Sequence, residues 1–176
     1  MINEIIKRNA VTFGVITGIV SSLITATIYA IDLSLFTEWW VGILSISAYL
    51  AIGIILLSKT KKELQGVFPF KDAFTTYFIS AVIGILISVV FNIILFNFID
   101  PAAKETLKEL TIKYTVGMME KFGAPASGIN EAIAKLKEND PYSIIELLKG
   151  SAFSIVFSSV FGLIMAAFFK SKTTQE

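Results

Sequence analysis

Four windows of this chain carry no Asp, Glu, Lys or Arg: residues 9–31, 39–58, 73–99 and 150–169, which are 23, 20, 27 and 20 residues long. An α-helix rises about 1.5 Å per residue and the hydrocarbon core of a bilayer is roughly 30 Å thick, so about 20 apolar residues cross it. A water-soluble core has no use for four such helices without a single charge. Composition agrees: 55% of the 176 residues are hydrophobic and only 16% are charged, against about a quarter charged in an ordinary soluble domain. The net charge of +1 excludes little, because lysines on one side of a membrane and carboxylates on the other cancel in the sum. The expected fold is an all-α membrane protein, a single membrane domain over residues 1–176. Its four transmembrane helices form a bundle, with spans near 10–31, 39–57, 74–98 and 151–169 and an amphipathic helical insertion near 100–149.

Four spans place both termini on one side. Lys7 and Arg8 precede the first span, Lys59, Lys61, Lys62 and Lys71 lie in or beside the link to the third, and Lys170 and Lys172 follow the fourth, whereas the link 32–38 has neither Lys nor Arg. Positive residues near span ends collect on the cytoplasmic side. The expectation is therefore a multi-pass protein of a bacterial cytoplasmic membrane with both termini cytoplasmic and the insertion outside. Trp39 and Trp40 then fall at the outer interface, where amphipathic rings sit well. Lys7 and Arg8 ahead of an apolar run also resemble a secretory signal, but the run exceeds the roughly 7–15 residues of a signal's apolar region. It is expected to be retained as an anchor.

The segment FPFKDAF, residues 68–74, reads as the rim of the membrane ahead of the third span. Pro69 has a fixed φ and no amide hydrogen, which suits the last turn of chain before a helix begins. Phe68 and Phe70 are expected to place their rings at headgroup depth and Lys71 to face the anionic leaflet. Asp72 is expected to cap the free amides of the third span.

The insertion contains two Asp-Pro pairs, Asp100-Pro101 and Asp140-Pro141, each fitting an N-cap followed by proline at the first helical position. A helix from Pro101 to about Phe122 would carry an apolar stripe of Leu107, Leu110, Tyr114, Met118 and Phe122, and a second of Ile112, Val116 and Met119. Gly123, Pro125 and Gly128 interrupt it, and Ile129, Ile133 and Leu136 mark a shorter amphipathic helix. From Pro141 a further helix is expected to run straight into the fourth span. So much apolar surface does not stand free in water: it caps its own bundle, lies on the outer leaflet or covers a partner.

Small residues recur at every fourth position within the spans. Gly14, Gly18 and Ser22 do so in the first; Ser80, Gly84 and Ser88, followed by Asn92, in the third; Gly150, Ser154, Ser158, Gly162 and Ala166 in the fourth. Residues four apart share a helix face. Because lipid tails are as apolar as leucine, helices in a bilayer associate through close backbone approach and interhelical hydrogen bonds. The three stripes are thus expected to be packing faces, within one bundle or between two copies. Asn92 is expected to donate to a serine or backbone carbonyl of a neighbouring helix.

With no Cys and no His, thiol nucleophiles, imidazole bases, disulfides and the usual zinc and iron–sulfur ligands are missing. The absence of ionisable residues within the spans argues against an ion-coupled pump or a charge-selective channel. Glu105 and Glu109, one helical turn apart, read as a solvated face. Only Asp100, Glu105 and Asp140 could bring titratable groups together, and no nucleophile stands beside a base. No catalytic residue, cofactor, metal or nucleic-acid partner is expected.

Four stretches resemble a known family, the bacterial membrane proteins grouped as domain of unknown function 4199 and found mostly in Bacteroidetes. These are FGVITGIV in the first span, FPFKDAF before the third, FNFIDPAAKE after it, and FGLIMAAFFKSK in the fourth span and tail. The resemblance covers nearly the whole chain. It implies four spans with a helical insertion before the last, and it brings no activity or catalytic residue.

The function expected from these features is that of a structural or interaction module of the membrane, with the bilayer, a membrane or periplasmic protein, or a second copy as partner. The alternative is a protein that binds or transports a small neutral solute or a lipid, with the insertion as a lid. That alternative requires a polar cavity lined by Asn92, Ser158 or Thr25.

Overall fold

A computed structural model describes residues 2–138 and 140–171; Lys172, counted above among the cytoplasmic lysines, lies outside them. Among the described residues there are six α-helices and no strand. Helix α1 (Glu4–Ile31) starts six residues ahead of the expected span, because Asn3 accepts a hydrogen bond from the Ile5 amide at 2.8 Å and Glu4 sits in the positive first turn. Asp32 ends it in extended backbone and accepts from the Ser34 amide at 2.8 Å, starting a 3₁₀ turn over Leu33–Thr37. Helix α2 (Trp39–Glu63) runs past the apolar window into its lysines. It closes on Gln65 and Gly66 with φ of 54° and 86°, where the Gly66 amide reaches Lys61 O at 2.9 Å.

Helix α3 (Phe70–Ile94) follows Pro69 and passes into a π-helical turn, Leu95–Ile99. Two shorter helices, α4 (Ala102–Lys121) and α5 (Ala126–Glu138), precede α6 (Ile144–Phe169). Helices α1, α2, α6 and the α3 segment extended to Ile99 are each long and apolar enough to span a membrane. The chain is thus a multi-pass helical bundle of membrane-protein type, in which hydrogen bonds within each helix satisfy the backbone without water.

The bundle has two ends. Residues near both termini, the α2–α3 link and the start of α3 share one; the 3₁₀ turn, the π turn and α4 share the other. At the terminal end Leu57, Phe68, Ala73, Tyr77, Met165 and Ala166 form one apolar cluster. Leu95, Phe96, Ala103 and Leu107 form a second at the insertion end, ringed by Tyr29, Leu33, Phe36, Phe91 and Tyr142. Helix α3 is central, packed along α1 on one side and α6 on the other.

Several expectations need correction. The Phe68 ring does not face the headgroups but is wholly buried in the protein: its backbone is clamped to the end of α6, Ser171 N to Phe68 O at 2.8 Å and Phe68 N to Ser171 Oγ at 3.2 Å. That pairing turns the ring into the bundle. Asp72 does not cap α3, since the helix starts two residues before it and Pro69 occupies the cap without a side-chain bond. Asp140 does not start the last helix either. Its carboxylate accepts from the Tyr142 amide at 3.0 Å in a local turn. Ser143 then caps α6 by accepting from the Glu146 amide at 3.3 Å. Asp100, by contrast, does accept from an α4 amide, Ala103 N at 3.2 Å.

Candidate functional site

Helices α1 and α3 touch backbone to backbone because Gly14, Gly18 and Gly84 leave room. A Cβ added at Gly14 would stand 2.7 Å from Ile83 Cβ and 2.9 Å from the Ser80 carbonyl, and one at Gly18 would stand 2.6 Å from Ile87 Cβ. Gly84 faces back onto Thr17 across the same seam. Ser22 spends its hydroxyl on its own helix, at Gly18 O 2.9 Å away.

The fourth-span stripe divides. Gly162 and Ala166 are buried, and a Cβ at Gly162 would meet the Tyr77 ring at 2.9 Å. Gly150 and Ser154 are exposed, and nothing lies within 4 Å of a Cβ at Gly150. Helices α2 and α6 approach each other at the terminal end, where a Cβ at Gly53 would lie 2.9 Å from the Tyr77 ring and 3.7 Å from Met165. Toward the insertion end both helices turn exposed faces to each other. The gap between them, with α3 as its base, is a cavity of about 580 Å³.

Most of its wall is aliphatic and aromatic, with Leu50, Ile85, Val89, Phe153 and Phe157 among the lining residues. Tyr77, held between Gly53 and Gly162, closes the inner end, while Pro141, Glu146 and Leu147 stand at the other. Among the described residues Glu146 is the only charged one in the lining. One polar part of the wall is a chain of hydrogen bonds across three helices. Tyr49 OH on α2 donates to Ser21 Oγ on α1 at 3.0 Å, Ser21 Oγ lies 2.8 Å from Ser88 Oγ on α3, and Asn92 Nδ2 donates to Ser88 O at 2.8 Å. Asn92 therefore bonds within its own helix rather than to a neighbour, because the Ser88 carbonyl one turn back lies within reach. Ser154 and Ser158 face the cavity from α6; Thr25 is buried elsewhere.

At the insertion end the first half of α4 is docked on the bundle, and the helix packs against α5. Leu107 is 0% exposed in the second apolar cluster, whereas further along the same stripe Tyr114 is 42%, Met118 41% and Phe122 84% exposed. Leu110 is half-buried. Lys104 ties the docked part down, donating to Asn97 Oδ1 at 3.2 Å and to Asp140 Oδ2 at 3.1 Å, while Tyr29 OH donates to Asp100 Oδ2 at 2.8 Å. Asn97 also donates to Tyr142 O at 3.1 Å, and Tyr142 stacks edge-on against Phe96 with centroids 5.2 Å apart. Burial pushes the Tyr142 phenol above its ordinary pKa, with Thr111 pulling the other way.

Trp39, Trp40, Phe70 and Lys71 are exposed at the helix ends, Trp39 and Trp40 opposite Phe70 and Lys71. Glu105 and Glu109 are exposed on α4. Among the described residues no three carboxylates come together as metal ligands would. Sequence reasoning placed Asn92 and Ser158 in a possible cavity but missed Ser21, Tyr49, Gly53 and Tyr77. The available signal was two tyrosines deep in uncharged runs, since a buried phenol needs a partner for its O–H.

Among protein-family models, the one described as Protein of unknown function (DUF4199) matches residues 12–171. Neither the curated proteins nor the solved structures gave a match.

Proposed function

We propose, for a chain that belongs to the DUF4199 family of proteins of unknown function, a non-catalytic role: taking up a neutral, chain-bearing amphiphile from the bilayer into the cleft between α2, α3 and α6. The cleft carries this reading. Its volume of about 580 Å³ falls within the roughly 300–1,000 Å³ of small-molecule sites, and its mostly apolar wall with a few placed polar groups is their usual make-up. A charged solute would leave its hydration for a wall with almost no counter-charge, which is costly. A hydrocarbon chain leaving lipid for this wall gives up little.

The test is native mass spectrometry of delipidated protein incubated with a monoacylglycerol. Binding is expected for the wild type, and Ser154→Trp, which fills the cleft from α6 without disturbing either apolar cluster, is expected to weaken it at least tenfold. Equal binding by Ser154→Trp, with its melting temperature unchanged, refutes the reading.

A second reading, an interaction module, is favoured by the uncovered end of α4. Tyr114, Met118 and Phe122 would engage the outer leaflet or a membrane or periplasmic protein. A photo-crosslinking side chain at Met118 that captures neither lipid nor protein counts against it. The proposed orientation puts both termini in the cytoplasm of a bacterial inner membrane, supported by the lysines and Arg8 at the terminal end. Labelling of a cysteine introduced at Lys61 from outside intact cells would overturn that orientation.

A further inference from the structure

We infer that the cleft selects its ligand through one hydrogen bond, accepted by Asn92 Oδ1 from a hydroxyl carried part-way along the ligand's chain. The inference rests on the cleft being a ligand site, as proposed above, and names the class of ligand.

The orientation of the Asn92 amide is settled by its partner. Its Nδ2 stands 2.8 Å from the Ser88 carbonyl and 3.4 Å from Ser88 Oγ. A peptide carbonyl only accepts, so the amide nitrogen must occupy that side. The amide oxygen then faces away from that carbonyl, on a residue that lines the cleft. Among the described residues no sealed side-chain polar atom lacks a partner, and no hydrogen bond is donated to Asn92 Oδ1. This oxygen is therefore an unsealed, uncommitted acceptor on a residue of the cleft wall. The nearby phenol does not serve it, since Tyr49 O–H is committed to Ser21.

Depth decides what kind of group can meet it. Asn92 lies seven residues before Ile99, where the spanning segment ends, which is roughly 10 Å of helix. The headgroup of an amphiphile stays near the interface, so at Asn92 the ligand presents its chain. A plain chain leaves the acceptor unpaired in an apolar setting, an unfavourable state. A hydroxyl on the chain pairs it. A carbonyl or ether there does not, because it offers no hydrogen.

The experiment uses the full chain in detergent micelles and three monoacylglycerols of equal chain length: unsubstituted, with a mid-chain hydroxyl, and with a mid-chain methoxy group. Relative affinities come from competition in native mass spectrometry. The hydroxylated probe is expected to bind on the order of three- to tenfold more tightly than the other two. Asn92→Leu is expected to remove that preference, and Ser47→Ala, at an exposed α2 serine that bonds its own helix and does not line the cleft, to retain it. Equal binding of all three probes, or of the hydroxyl and methoxy probes, overturns the inference while leaving the cleft as a lipid site. Binding of none overturns both. The three-probe comparison needs no variant, so a poorly folded Asn92→Leu does not spoil it.

Discussion

Gly14 and Gly150 belong to the same kind of sequence stripe, yet alanine at the two positions should have opposite effects. At Gly14 the new methyl would stand 2.7 Å from Ile83 Cβ and 2.9 Å from the Ser80 carbonyl oxygen. Neither atom is the free end of a flexible side chain, so α1 and α3 must move apart. Overpacking of this kind costs about 1–3 kcal/mol. At Gly150 nothing lies within 4 Å. Both substitutions also reduce the entropy lost by a helical glycine, a gain of roughly 0.5–1 kcal/mol. That gain is common to both, so the difference between the variants isolates the steric cost of the seam. At about 2–4 °C per kcal/mol for a chain of this size, Gly14→Ala should melt roughly 2–12 °C below Gly150→Ala in a mild detergent. Gly150→Ala itself should melt at or slightly above the wild type. Equal melting temperatures would refute the claim that close backbone approach at α1–α3 holds the bundle, because the two helices would then have room to spare.

Other outcomes follow from single contacts. Leu107→Ala should cost about 2–5 kcal/mol, the range for a fully buried leucine, and speed hydrogen exchange through α4, whereas Phe122→Ser on the same stripe should change stability by no more than about 0.5 kcal/mol. Asp140→Asn removes the ion pair to Lys104, 3.1 Å long and only partly exposed; a loss of about 1 kcal/mol or less, with faster exchange in α4 than in α2, is expected in urea titrations. The raised pKa of Tyr142 gives a pH signature. Its contribution is fully present below the unfolded tyrosine value of about 10 and is lost as pH rises through the higher folded value. Tyr142→Phe should therefore lose less stability than the wild type between neutral pH and strongly alkaline pH, measured as the difference in melting temperature.

Charge-free length alone determined that this chain spans a membrane four times, because the bilayer imposes one dimension on every helix that crosses it and one requirement on every backbone amide. The helix breaks were also legible, at 32–38 from the charges Asp32 and Glu38 that bound it and around Gly123 from local turn chemistry. Which small residues close a contact was not. Gly14 and Gly150 look alike in sequence, since a four-residue spacing states only that residues share a face, not what that face meets. Asp72 and Asp140 read as caps, but helix starts are decided where tertiary contacts place them: the α2–α3 link is held by Ser171, and α6 begins at Ile144, capped by Ser143. The cleft is a product of tertiary structure alone. Helices α2 and α6 converge on Tyr77 at one end and are kept apart at the other, so Asn92, Ser21 and Tyr49, which are far apart in the chain, come to share one wall. Nothing local in the sequence encodes that separation, because it depends on how α1, α2 and α6 compete for the same central helix.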